Sequence, residues 1–163
     1  MRLLRPCEVA PSLSAIDFAG LFREGKRAIL FDLDNTLGGR RPKSLSPDTV
    51  ALLESLEEMG YRIGILTNRR RVEDDAVMHG LARRYPVEHG AGKPWRRGFV
   101  ALLARLEVPP HAAVMVGDRL LTDILGANRL GIHSIRVRAA PPKPGGDRAT
   151  PHAGGGGRGV RQR

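Results

Sequence analysis

The chain has 163 residues, 41% of them hydrophobic and 27% charged, and carries a net charge of +10 from 27 basic and 17 acidic side chains. That length supports one domain with a buried core, and the composition excludes collagen-like and broadly disordered classes. No apolar run approaches the roughly 18 residues of a membrane span, no apolar stretch follows the first arginines as in a secretory leader, and Cys7, the single cysteine, has no intrachain partner, so a reducing cytoplasm is the expected setting.

The predicted elements alternate. Ser14 to Arg23 reads as a short amphipathic helix stopped by Gly25, and Arg27 to Leu33 as a strand. Pro47 to Met59 is a helix with Ser46 as N-cap, Pro47 in its first position and Gly60 as its stop. Tyr61 to Leu66 is the next strand, Arg70 to Arg84 a helix, and Pro86 to Glu88 a very short strand. A helix from Pro94 to Leu106, a strand from Ala112 to Val116, a helix from Thr122 to Arg129 and a strand from Ile132 to Val137 complete the series. Apolar strands alternating with helices predict an α/β fold, a parallel sheet covered by helices on both faces. Beyond Ala139 the composition changes: seven glycines and four prolines with almost no large apolar side chain. Residues 139–163 are therefore expected to be a disordered tail of net charge +4, leaving residues 1–138 as the folded domain with +6 of its own. An excess of this sign favours an anionic partner: a phosphorylated small molecule, an anionic lipid surface or a nucleic acid.

The most informative stretch is Phe31-Asp32-Leu33-Asp34-Asn35-Thr36-Leu37. Four apolar residues, Ala28 to Phe31, run into two carboxylates spaced two apart, which leave a strand end on the same side. Like charges there are costly unless a proton or cation neutralises them. A divalent metal is the simplest remedy, and a carboxylate beside a metal suits phosphoryl transfer. In open parallel sheets ligands bind outside the carboxyl ends of the strands. Asp32 and Asp34, Thr67 and Asn68, and Gly117 and Asp118 all stand at such ends, and Lys93 precedes a helix on the same rim.

The order FDLDNTL, LTN, KP and VGDRLLTDILGANRLG resembles the four motifs of the haloacid dehalogenase (HAD) superfamily, and the last is similar to the YqeG-like branch of subfamily IIIA, to which phosphatidylglycerophosphate phosphatases are related. The resemblance covers roughly residues 5–138. It implies a Rossmann-like three-layer sandwich and a phosphatase in which Asp32 is the nucleophile that forms an aspartyl-phosphate. It implies Asp34 as general acid and then base, with Thr67 and Asn68 hydrogen-bonding the phosphoryl oxygens and Lys93 neutralising their charge. Mg²⁺ would lie on Asp32, Asp118, Asp123 and the backbone carbonyl of Asp34. Two residues depart from the usual pattern: Arg69 follows Thr67-Asn68 where an asparagine is common, and Arg119 stands where glutamine is frequent. Each polar residue also has a plainer reading. Asp32 and Asp34 could end a strand in a turn, Thr67 and Asp118 could be helix N-caps, and Asp123 could complement a helix dipole. Trp95 is expected to pack, and Cys7 to be a partly buried small residue.

Ten residues separate Thr36 from Pro47, and between Asn68 and Lys93 there is room for one helix and a short strand, so no cap domain is expected and the site should be open. An open site suits a large or anionic substrate. Arg40, Arg41 and Lys43 follow the first motif, Arg69 to Arg71 the second, and Arg96, Arg97 and Arg119 the others. They predict a cationic collar that docks the substrate, with Arg40, Arg41 and Arg69 as its binding residues. Phosphatidylglycerophosphate is the substrate the resemblance favours, with peripheral contact to the inner face of an anionic membrane. A nucleotide or nucleic-acid-end phosphatase and a non-catalytic RNA- or ribosome-binding module are the alternatives. Reversing Arg40 and Arg41 to glutamate is expected to raise KM far more for a bulky anionic substrate than for a small aryl phosphate, and equal effects in steady-state kinetics would exclude the collar.

Overall fold

The structure, a computed structural model, describes residues 2–70 and 74–138. The expected tail, residues 139–163, lies outside the described residues, as do Arg71 and the other two residues of 71–73. Six strands form one sheet: β1 (Glu8–Ala10), β2 (Ala28–Phe31), β3 (Arg62–Leu66), β4 (Val87–Glu88), β5 (Ala113–Gly117) and β6 (His133–Val137). The order is β1-β6-β5-β2-β3-β4, and every pair is parallel. The chain runs outward from β2 through β3 to β4 and then returns to the other side of β2 with β5. The carboxyl ends of β2 and β5 therefore flank the crevice where the order reverses, which is where ligands bind in such sheets.

Alternation along the central strands divides the core in two. Ile29 and Phe31 of β2, Ile63 and Ile65 of β3 and Val114 and Val116 of β5 face one side. There they meet Phe18 and Leu21 of α1 (Phe18–Arg23), Leu53 and Leu56 of α2 (Pro47–Glu58) and Val77, Met78 and Leu81 of α3 (Ala76–Ala82). Ala28, Leu30, Ala113 and Met115 face the other side. These pack against Phe99, Leu102, Leu103 and Leu106 of α4 (Arg96–Leu106) and Ala127 of α5 (Leu125–Asn128). Three layers follow, as expected for a Rossmann-like sandwich. The helices are short, and no described helix is long and apolar enough to cross a membrane.

Several boundaries differ from the sequence reading, for local reasons. The helix expected from Ser14 starts at Phe18, because the Asp17 carboxylate accepts from Gly20 N at 2.8 Å and caps it there. The helix expected from Arg70 to Arg84 is, within the described residues, α3 alone, capped by Asp75 through Met78 N at 3.1 Å. The helix expected from Thr122 opens earlier, as a wide turn over Leu120–Ile124 that runs into α5. β1 was not legible at all: three residues with a single buried side chain, Ala10, carry no period. Cys7, expected partly buried, is exposed. Among the described residues no insertion approaches a domain in size: α3 and the two residues of β4 are the only elements between β3 and α4. Among the described residues no cap domain is present, as expected.

α4 lies close on the sheet because glycines make way for it. A Cβ at Gly64 of β3 would stand 3.0 Å from three atoms of Leu102, and one at Gly126 would enter the Phe99 ring. Phe99 is fully buried at this junction. Phe99→Ala is expected to lower the unfolding free energy by about 3–5 kcal/mol, read as a fall in the urea midpoint at unchanged slope.

Candidate active site

β2 places Asp32 by burial on both faces of the strand that precedes it. The Asp32 backbone stays extended, and its N–H donates to Val116 O at 3.0 Å, so the residue is pinned between β2 and β5 at the topological switch. The following turn, Leu33–Leu37, bends back through Asn35 at φ +60°, a conformation that asparagine tolerates better than most residues.

The Asp32 carboxylate meets a cation. Lys93 Nζ lies 2.5 Å from Asp32 Oδ1 and 2.7 Å from Asp123 Oδ1, and donates to Leu66 O at 2.8 Å. Three donors thus find three acceptors, the condition under which an ammonium can be buried. Burial would lower the Lys93 pKa, but Asp123 and Asp32 together hold it above the ordinary lysine value. Asp123 is 0% exposed. Its Oδ2 accepts from Arg119 N at 3.1 Å, and Gly117 leaves it room: a Cβ there would stand 2.6 Å from the Asp123 Cγ. First-turn dipole complementation does not account for a carboxylate so enclosed.

Asp32, Asp118 and Asp123 offer carboxylate oxygens that all lie within 4.8 Å of one another. Three carboxylates against the one ammonium of Lys93 leave two negative charges in excess. Burial is the main reason the Asp32 carboxyl is pushed up to about 7; Lys93 opposes it, and Asp123 and Asp118 add to it. Burial and Asp123 likewise raise Asp118. Among the described residues two buried side-chain polar atoms lack a hydrogen-bond partner, Thr36 Oγ1 and Asp118 Oδ1. Neither Thr67 nor Asp118 caps a helix: Thr67 Oγ1 accepts from Arg69 N in a turn at 3.2 Å, and Asp118 Oδ1 accepts from nothing. An oxygen-only set with excess negative charge and an orphaned oxygen fits a hard divalent cation.

Asp34 is held apart from this cluster. Its Oδ2 accepts from Arg69 Nε at 2.9 Å, and its Oδ1 from an Arg69 terminal nitrogen at 2.5 Å and from Arg41 N at 2.9 Å. Burial would raise the Asp34 carboxyl, but the bonds from Arg69 and the Arg41 backbone hold it below the usual range. The other terminal nitrogen of Arg69 binds Asp75. Arg69, expected on the collar, is turned inward. Asp75 was missed, since nothing in its spacing from Arg69 reveals a contact made by folding.

Asn68 is also used differently from expectation. Its Nδ2 donates to Lys93 O at 3.1 Å and its Oδ1 accepts from Lys93 N at 2.8 Å, so the amide ties the end of β3 to the residue that carries the ammonium. Arg40 is exposed on the loop after the first motif. Trp95, expected to pack, is 68% exposed, with the Arg129 guanidinium 5.5 Å from the centre of its ring. A cavity of about 60 Å³ opens at the centre, lined by Asp32, Asp34, Thr67, Asn68, Arg69, Lys93, Arg119 and Thr122. Thr122 is a wall the sequence did not reveal.

Residues 37–131 match the family model of haloacid dehalogenase-like hydrolases, a span that includes Thr67, Lys93, Asp118 and Asp123. The chain is 31% identical to the probable phosphatase YqeG of Bacillus subtilis over 81% of its own length and 76% of that protein. It is also 31% identical to the chloroplastic phosphatidylglycerophosphate phosphatase 1 of Chlamydomonas reinhardtii, over 83% of its own length and 53% of that protein. Among solved structures, a HAD phosphatase from Thermococcus onnurineus superposes with a TM-score of 0.53 at 30% identity, covering 61% of this chain and 49% of that one. The chain thus spans most of the first relative and about half of the other two.

Asn68→Ala removes two hydrogen bonds, each contributing roughly 0.5–1.5 kcal/mol. A matching loss of unfolding free energy in chemical denaturation is the expected outcome, and an unchanged midpoint would mean the strut to Lys93 is not formed.

Proposed function

The chain belongs to the haloacid dehalogenase-like hydrolases, on their phosphatase side, and from that premise we propose that it is a Mg²⁺-dependent phosphomonoester hydrolase working through an aspartyl-phosphate. The single observation that carries this reading is the buried Asp32 at the switch point, with Lys93 on one oxygen and Asp118 and Asp123 beside it.

Asp32 is the nucleophile. Lys93 favours its ionised form against the effect of burial and remains beside the phosphoryl group, where its charge offsets that of the phosphoryl oxygens. A carboxylate oxygen of Asp32 attacks phosphorus, the bond from phosphorus to the leaving oxygen breaks, and Asp34 delivers its proton to that oxygen. In the second half Asp34 takes a proton from water as the water oxygen attacks phosphorus. The bond to Asp32 then breaks and inorganic phosphate leaves. Thr67, through its hydroxyl, orients the phosphoryl oxygens, and Asn68 acts through the main chain of Lys93. Asp32, Asp118, Asp123 and the Asp34 carbonyl would hold Mg²⁺, which when bound supplies Lewis-acid stabilisation of the phosphoryl charge.

Phosphatidylglycerophosphate is the substrate we favour. The likeness to the Chlamydomonas enzyme of that name supports it, and so does the surface leading from the cavity. Arg69 lines both the cavity and a cleft that also holds Arg41, Lys43 and Arg70. Lys43 and Ala76 line both that cleft and an apolar groove of about 350 Å³ between α2 and α3, with Leu45, Val50, Leu53 and Leu81 in its walls. A scissile phosphate, a second anion and an apolar tail meet these surfaces in that order. Docking at the inner face of an anionic membrane, from the cytoplasm, is the setting this substrate entails.

The test is hydrolysis of p-nitrophenyl phosphate with and without Mg²⁺. The parent is expected to turn over only with the metal, Asp32→Asn to fall to background, and Asp34→Asn to lose about 10²–10⁴ in kcat. Metal-independent or absent turnover in the parent would overturn the reading. A panel of phospholipid, nucleotide and sugar phosphates then ranks substrates by kcat/KM, with the phospholipid expected first.

A further inference from the structure

Every hydrogen-bonding nitrogen of the Arg69 guanidinium is occupied. Nε and one terminal nitrogen form a two-pronged pair with the Asp34 carboxylate, and the other terminal nitrogen binds Asp75. Arg41 N adds a further donor to Asp34 Oδ1, so both oxygens of Asp34 accept hydrogen bonds. A carboxylate fixed in this way is an acceptor only and cannot hand a proton to a leaving oxygen. Rest and catalysis therefore demand different partners for Asp34.

Arg69 is also the residue at the junction of the catalytic cavity and the cleft, where Arg41, Lys43 and Arg70 outnumber the acids Asp74 and Asp75. An anion seated in that cleft would lie beside Arg69, which lines it. Breaking a half-buried pair with no replacement is costly, whereas exchanging one two-pronged oxyanion for another on the same fork is close to balanced. Asp75 is fitted to retain the guanidinium during such an exchange. Its Oδ1 is committed to Met78 N at 3.1 Å as the cap of α3, which leaves Oδ2 for Arg69.

We infer that Arg69 is a latch on Asp34: it holds the acid closed until a second anionic group of the substrate, a phosphodiester in the adjoining cleft, takes the guanidinium. The inference rests on the phosphatase reading above and deepens it. Arg69 is a positioning residue whose effect on the reaction passes through Asp34. Selectivity for substrates carrying a second anion is then written into kcat as well as KM, because the anion frees the acid besides adding affinity.

Two probes with similar alcohol leaving groups test this with Mg²⁺ present: glycerol 3-phosphate, and glycerophosphoglycerol phosphate, which carries a phosphodiester further along. In the parent, kcat for the second is expected to exceed that for the first by about tenfold or more. In Arg69→Ala the two kcat values should converge to within about twofold, with glycerol 3-phosphate turned over faster than by the parent. Arg69→Lys keeps the charge but cannot fork onto both oxygens, so it should also relax the kcat ratio while holding KM near that of the parent. Thermal melts of both variants accompany the kinetics, and the lysine variant serves if the alanine variant does not fold. A kcat ratio unchanged in the variants, an effect confined to KM, or an equal loss of kcat on both probes would overturn the latch. If the parent hydrolyses neither probe nor an aryl phosphate, the phosphatase reading fails; turnover with an unaltered ratio removes the latch alone.

Discussion

The buried ammonium of Lys93 is the contact on which the rest of the site depends. It joins three segments that are distant in sequence, through Asp32 after β2, the Leu66 carbonyl at the end of β3 and Asp123 after β5. Removing the ammonium would leave the buried carboxylates without their one opposing charge in a place that water reaches poorly, a large penalty for a domain of this size. The same contact aligns Asp32 with the carboxylates that surround it. The geometry of the cluster and local stability are therefore one requirement here, and Gly117 lets Asp123 approach closely enough to meet it.

Charge is arranged in two shells around this point. Within, Asp32, Asp118 and Asp123 outnumber Lys93, and the cluster favours a hard cation. Outside, Arg41, Lys43, Arg69 and Arg70 outnumber Asp74 and Asp75 and give the cleft its positive sign. The outer shell attracts anions, while the excess negative charge of the inner shell opposes their approach. Arg69 belongs to both shells, since it faces the cleft yet spends its hydrogen bonds on acids.

Much of this was legible in the sequence, for reasons that particular residues make plain. Asp32 stood out because Ala28 to Phe31 can only be a buried strand, and period two then fixes where the next polar groups point. The helix at Pro47 was marked at both ends, by Ser46 and by Gly60. Asp123 was harder, because an acid in a first helical turn has an ordinary explanation, and only its full burial between Lys93 and Arg119 N removes it. The Asp34–Arg69–Asp75 chain was invisible, since it depends on how two loops meet. β1 was missed because a three-residue strand owes its existence to its neighbour.

That neighbour is β6, more than a hundred residues away: Glu8 pairs with Ile135, Ala10 with Val137, and the Cys7 N–H donates to Ser134 O at 2.9 Å. Asn128 reinforces the junction by donating to the carbonyls of Leu3 and Arg5. β1 is made before the other five strands yet has no partner until β6, residues 133–137, has been made. The earliest-made of the six strands is thus the last to join the sheet, and until β6 is in place the edge of β5 that it covers stands open.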